Sequence, residues 1–566
     1  MRKLNLLRLW LTFLLLCACS PVALAQTPAT AHAPAVALPP AETKAAERIT
    51  AARLSERLYF VASDEMDGRD TPSPGLDATA KYIADNLKRW GIKPGGDDGT
   101  YFQRIPLRRT KVDQAQTHAE FGGQALRVGT DFLPANQSGT GAGALVYAGD
   151  GWYVPAKNIN PYEHVDVRDK IIIANMGRPT SITRADLRGK AGVDWADPAT
   201  YGQTHGARGV ILIPAARDLN DWWNRRLSAL ERGSFMVESP TETPSATMPA
   251  EPSIPTIYAS VALLNALFAG EAVSSADVLT AAQEGKAKPP FALAPNKVIQ
   301  LTVNVTTERQ FTQNVVGILV GRDKTLKQEY VAMGAHYDHI GDADKGGQCG
   351  AVNGDHICNG ADDDGSGTVS ILTIAEAFAK GPRPARSILF VWHCGEEKGL
   401  WGSKYFTDHP TVPLKQVVAQ LNIDMIGRSK KEGDTNPLNR ELSGPNEIYV
   451  IGSKMMSTQL GDLSERVNQA FLNVSFNYKY DDPHDPNRFF FRSDHYNYAQ
   501  KGIPIIFYFD GVHEDYHRPT DSPDKIDYNK MQAVARTVFL TAEELANAPT
   551  RPVVDKQLPT ELAADR

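Results

Sequence analysis

Five short segments in the second half of this 566-residue chain bring imidazoles and carboxylates to places where a fold can use them. The apolar run Tyr330 to Ala335 ends in His336-Tyr337-Asp338, and Ile388 to Trp392 leads to Gly395-Glu396-Glu397. Val417 to Ile423 ends in Asp424, and Ile503 to Tyr508 is followed by Asp515-Tyr516-His517. Gly360 to Gly367 carries Asp362, Asp363 and Asp364 just ahead of a helical pattern. Taken singly, each is weak. A lone His-x-Asp is most often a hydrogen-bonded structural histidine, a Glu pair a solvated face, and three aspartates a turn or cap. Their common position is what counts: charged groups directly after buried strands cost several kcal/mol unless paired, and a metal ion is a ready partner. Imidazole with carboxylate suits zinc, and such a site with open positions suits hydrolysis.

The elements that must position these residues follow from the pattern around them. After about residue 296, apolar runs of strand length alternate with helices, among them Gly367 to Ala379 and Asn529 to Ala546. That alternation predicts an α/β fold with a mixed, mostly parallel sheet covered by helices on both faces. Ligands of such sheets lie beyond the carboxyl ends of the strands, where four of the five segments fall. From Glu47 the chain reads as helical, with Ala80, Ile83, Ala84, Leu87 and Trp90 on one face and Gly91 as a stop. Between 119 and 295 the character changes to short strands and turns, with candidates at Leu145 to Gly149, Lys170 to Ala174 and Gly209 to Ile213. Glu238 to Pro255 reads as a surface loop.

The length calls for more than one domain. A formal net charge of -6 gives no reason to expect nucleic acid as a partner. Arg2, Lys3 and Arg8 precede an apolar run from Leu9 to Cys19, and Ala23-Leu24-Ala25 is a small-x-small cleavage site. This reads as an export signal, and no later stretch is long and apolar enough for a membrane span. The competing pattern is Leu16-Cys17-Ala18-Cys19, a lipoprotein box that would anchor the chain by a lipid at Cys19. The destination is the periplasm or the extracellular space, or with the lipid the outer membrane. Cys349 and Cys358 are expected to pair in such an oxidising compartment, and Cys394 to be a buried small hydrophobe.

The segments GAHYDHIG (334–341), NGADDDGSG (359–367), CGEEKGLWGS (394–403), NIDMIG (422–427), RSDH (492–495) and DYHRPTD (515–521) resemble the zinc-dependent aminopeptidase and glutamate carboxypeptidase family, bacterial leucyl aminopeptidases included. LYFVASDEMDGRDTPSPG (58–75) resembles the lead-in of the same enzymes. DVRDKIIIANMG (166–177) and HGARGVILI (205–213) resemble a protease-associated domain. The expected layout is a signal at 1–25, a linker at 26–45, a peptidase domain at 46–118 and 296–548, a smaller β-rich insert at 119–295, and a tail at 549–566.

The resemblance implies two zinc ions. His336 and Asp424 would hold one, Glu397 and His517 the other, and Asp363 would bridge them. Two divalent zincs, three carboxylates and one hydroxide then sum to neutrality. Glu396 would be the general base. Asp338 is expected to accept a hydrogen bond from His336 and fix its tautomer. Tyr516 would help hold the oxyanion, and Asp494 would orient another member of the site. A cis peptide between Asp363 and Asp364 is also implied. His339, His356, His393, His495 and His513 find no slot in this ligand set and are expected to be structural or substrate-lining. Peptides are the implied substrates, with removal of N-terminal residues ahead of carboxypeptidase or dipeptidase specificity. A glutaminyl cyclase-like transferase or a non-catalytic relative that has lost ligands is a poorer match, because the ligand set is full. Nothing in the sequence fixes the oligomeric state.

Overall fold

The computed structural model describes residues 38–558, apart from 184, 217 and 239–253. The export segment with Cys19, and most of the loop expected at 238–255, lie outside the described residues. No helix among those described is long and apolar enough to cross a membrane.

Ten strands of the described residues form one large sheet. Its centre is parallel: Ile505–Phe509, Val417–Ile423, Tyr330–His336 and Ser387–His393 lie side by side. These four are the apolar runs that end in candidate ligands, so the ligands emerge at one edge. Side chains alternate between two cores. Val331, Met333 and Ala335 pack on one face with Ile388, Phe390 and Trp392, while Ala332, Leu389 and Val391 pack on the other. Burial on both faces is why these strands read as unbroken apolar runs.

Among the helices that cover the first face are Ala51–Val61, Pro74–Arg89, Gly367–Lys380 and Tyr528–Asn547. Their starts are locally encoded. Thr50 accepts from the Arg53 N–H, Ser73 from the Leu76 N–H with Pro74 in the first turn, and Asp527 from the Lys530 N–H. Gly367–Lys380 is buried along nearly its whole length and is held to the sheet by Trp392, whose Nε1 donates to the Thr368 carbonyl at 3.0 Å. The opposite face carries the shorter helices Trp401–Asp408 and His495–Gln500.

The antiparallel side of the sheet is longer than the apolar pattern suggests. Val305–Leu319 pairs with Phe102–Val112 through eleven consecutive positions, and only its last third, from Val315, is apolar throughout. A second sheet, of nine strands among the described residues, spans 118–303 and has its own core around Ile171, Ile173, Ile211 and Ile257. Among its described residues, the stretch expected to hold strands and turns also folds four helices, including Leu219–Arg232 and Ser275–Glu284. From the same stretch, Ser234–Val237 returns to the large sheet and pairs with Leu107 to Thr110. Just before it, Arg232 pairs with Asp70 and donates to the carbonyls of Pro72 and Gly346. Cys349 and Cys358 are joined in a disulfide with Cα atoms 5.6 Å apart, and Cys394 is a buried free thiol.

Candidate metal centre

The five segments converge. His336 closes its strand with Nδ1 3.1 Å from the Asp338 carbonyl. An N–H at Nδ1 satisfies that contact and turns the Nε2 lone pair inward. His336 Nε2 then lies 3.3 Å from Asp363 Oδ1 and 3.6 Å from Asp424 Oδ1. On the other side of Asp363, His517 Nε2 is 3.2 Å from Asp363 Oδ2 and 3.1 Å from Glu397 Oε2. One carboxylate thus faces two imidazoles, each with a further carboxylate. These are the residues expected from sequence as ligands, and the fold brings all five together.

Their positions are fixed from behind. Asp363 sits on a turn whose peptide to Asp364 is cis. The N–H groups of Asp362 and Asp363 both donate to Asp521 Oδ2, at 3.0 and 3.2 Å. Asp364 Oδ1 accepts from the N–H of Gly367 and of Met425, joining the helix start to the strand end that carries Asp424. A Cβ on Gly367 would stand 2.4 Å from that oxygen, so glycine is required there. Ser493 donates to Asp424 Oδ2 at 2.6 Å. Arg69, wholly buried, donates to the carbonyls of Tyr337, Asn359 and Gly360 and so ties the His336 turn to the Asp363 turn.

The expected role of Asp338 changes. His336 bonds the main-chain carbonyl of Asp338, and its Nδ1 is 3.6 Å from the carboxylate. The carboxylate accepts instead from the N–H of Glu396, at 3.1 Å. A turn this tight puts the carbonyl nearer the ring than the side chain can reach. Asp494 points away from the ligands, toward His393 Nδ1 at 3.5 Å. Tyr516 stacks on His517 and borders the cleft with Asp363, Glu396 and Asp424.

His339 was expected to be structural or substrate-lining. It is fully buried, with Nδ1 2.8 Å from Glu397 Oε1 and 3.7 Å from Asp363 Oδ2. His339, Asp363 and Glu397 form one potential metal-holding group, and His336, Asp363 and Asp424 another. The only sequence signal for His339 is its place in a His-x-Asp-His run, which does not say where the turn will aim it.

The charges respond to this crowding. Burial and the Asp363 charge push Glu397 up, yet the imidazoles of His339 and His517 hold it down at about 2. Burial likewise opposes ionisation of Asp363, but His336 and His517 keep it well below the usual range. Glu396 goes the other way: burial, with the charges of Glu397 and Asp424, pushes it well above an ordinary glutamate. Burial raises the Tyr516 phenol, and the negative charges of Asp363 and Glu397 add to it. Asp363 Oδ2, Glu397 Oε1, His517 Nε2 and both ring nitrogens of His339 are buried without a hydrogen-bond partner. Converging nitrogen and oxygen atoms that cannot satisfy one another fit a cation held between them.

Fold and site together define an α/β protein with a histidine–carboxylate centre at the ends of parallel strands. Residues 314–542 match the model of Peptidase family M28, and all the ligand candidates lie within that match. A probable leucine aminopeptidase of Trichophyton verrucosum is 30% identical over 230 residues, 39% of this chain and 55% of that protein. Leucine aminopeptidase 2 of Trichophyton equinum is 26% identical over 289 residues, 46% of this chain and 51% of the relative. The chain thus spans about half the length of the curated relatives it matches. Among solved structures, an aminopeptidase from Aneurinibacillus sp. strain AM-1 aligns with TM-score 0.50 at 17% identity, covering 92% of this chain and 100% of that one. A zinc aminopeptidase from Bacillus subtilis aligns with TM-score 0.50 at 19% identity, covering 88% and 96%. These likenesses support the fold.

Proposed function

We propose that this chain is an exported two-zinc aminopeptidase that removes apolar residues from the N-termini of peptides. The observation that carries the proposal is the shared carboxylate: Asp363 faces His336 with one oxygen and His517 with the other. His336 and Asp424 would hold one zinc, Glu397 and His517 the second, with Asp363 common to both. Bound zinc would supply Lewis acidity, lowering the pKa of a water and polarising the scissile carbonyl.

The chain's own groups do the rest. Glu396 stands at the rim of the cluster, Oε2 3.9 Å from His336 Nε2, close enough to act there without taking a ligand position. A carboxylate placed there suits a group that takes a proton from the attacking water and passes it to the leaving amine. Tyr516 keeps its phenolic proton and donates it as a hydrogen bond to the oxygen that gains charge. The cleft beside Asp424 and Glu396 is walled by Met425, Phe489, Phe507, Phe509 and Val512, which suits an apolar side chain. Relatives named as leucine aminopeptidases favour the same preference. The Cys349–Cys358 disulfide supports an oxidising compartment outside the cytoplasm.

Incubating the zinc-loaded protein with one mixed peptide, free or N-acetylated at its N-terminus, tests the proposal by mass spectrometry. Stepwise loss of N-terminal residues from the free peptide alone is expected. Shortening of both forms from the C-terminus would make it a carboxypeptidase, and release from dipeptides only would make it a dipeptidase.

A further inference from the structure

We infer that His339 is a further protein ligand of the second metal ion, joining Asp363, Glu397 and His517, so that the two metal positions are unequal. The inference rests on the two-metal proposal and adds a donor to it.

Three observations carry it. First, His339 Nδ1 is 2.8 Å from Glu397 Oε1, yet the two atoms do not form a hydrogen bond. Two lone-pair atoms that sit close but off the line an N–H would need can share a cation at a third point. Asp363 Oδ2, 3.7 Å from the same nitrogen, is equally unpartnered and borders that point. Second, a fully buried imidazole with neither nitrogen bonded carries a desolvation cost that a structural role would not leave standing. Third, the backbone makes room for this ring. Gly360 has φ +54, and a Cβ there would stand 2.5 Å from His339 Cγ. The ring of His339 meets that of His517 edge to face, with centroids 5.6 Å apart, so both imidazoles approach Glu397 and Asp363 from separate directions. His336, by contrast, is alone with its two carboxylates. The position near His517 therefore has four protein donors and the position near His336 has three.

Zinc content and cobalt(II) absorption of the full chain test this, using His339→Ala and the volume-keeping His339→Phe. Wild type is expected to hold two zincs. Each variant is expected to hold one tightly and the other at least a hundredfold more weakly against a competing chelator, beyond the roughly 10–100-fold cost of losing an outer partner. The visible cobalt bands of that site should shift in position and intensity. The melting temperature of each metal-free variant checks folding, and either variant that melts like metal-free wild type suffices. If both ions stay within tenfold of wild-type affinity, or the affinity falls while the cobalt bands stay put, His339 is not a ligand. If wild type itself binds no zinc, the two-metal proposal fails instead.

Discussion

The N–H of Glu396 donates to the carboxylate of Asp338 at 3.1 Å, so the Asp338 side chain holds the proposed general base rather than the histidine. Asp338 is wholly buried, and burial raises its pKa against the pull of the neighbouring His336. Asp338→Asn should therefore keep both zincs and lower kcat by roughly 10–100-fold, as expected when a supporting group is disturbed. Zinc analysis beside steady-state kinetics checks it. Loss of zinc with kcat intact would return Asp338 to the histidine.

Glu396→Gln should retain the metal and lose about 10²–10⁴ in rate, the range expected for a missing general base. The pH–rate profile of the residual activity should lose its acidic limb. Near-normal turnover would move the proton transfer to another group.

Metal-free and metal-loaded protein should respond oppositely to alkali. Burial opposes protonation of His517, but Asp363 and Glu397 raise it from 6.5 to about 10. Protonation then favours the folded metal-free chain. That contribution is complete below about pH 6.5 and is lost as pH rises through about 10. In the loaded protein the histidines are neutral ligands, so protons compete with zinc and stability falls on acidification instead. Melting curves from pH 6 to 10, with and without chelator, should cross in slope. Chelation at neutral pH should lower the melting temperature, and an unchanged value after the metal has left would contradict this.

Arg69→Met should destabilise the fold by about 3–5 kcal/mol, the usual cost of removing one member of a buried polar cluster. Three of the four carbonyls it serves belong to the turns that carry His336 and Asp363, so zinc affinity should fall with stability. Urea unfolding and zinc titration of the variant check both.

The central strands and the candidate ligands were legible because two-sided burial leaves a plain mark: an apolar run that stops at a His, Glu or Asp. The first third of the chain was partly legible, since Ser73-Pro74 and Gly91 punctuate a helix whose inner face is apolar. Val305–Leu319 was not, because Thr306, Glu308 and Arg309 face solvent and its partner strand lies almost two hundred residues away. Leu219–Arg232 carries a helical signal of its own: Leu219, Trp222, Trp223, Leu227 and Leu230 form one stripe behind the Asp218 cap, and Trp222, Trp223 and Leu227 pack with Leu230. The roles of Asp338 and His339 depend on how a turn aims side chains a few residues apart, which neither periodicity nor residue type specifies. Arg69 looked like any arginine beside a glycine. Only the fold shows that it is buried among carbonyls.

The most direct test of the central claim is anomalous diffraction at the zinc edge from crystals of the zinc-loaded protein. Two peaks flanking Asp363, one beside His336 and Asp424 and the other beside Glu397 and His517, are predicted. A single peak, or zinc away from Asp363, would contradict a shared two-metal centre.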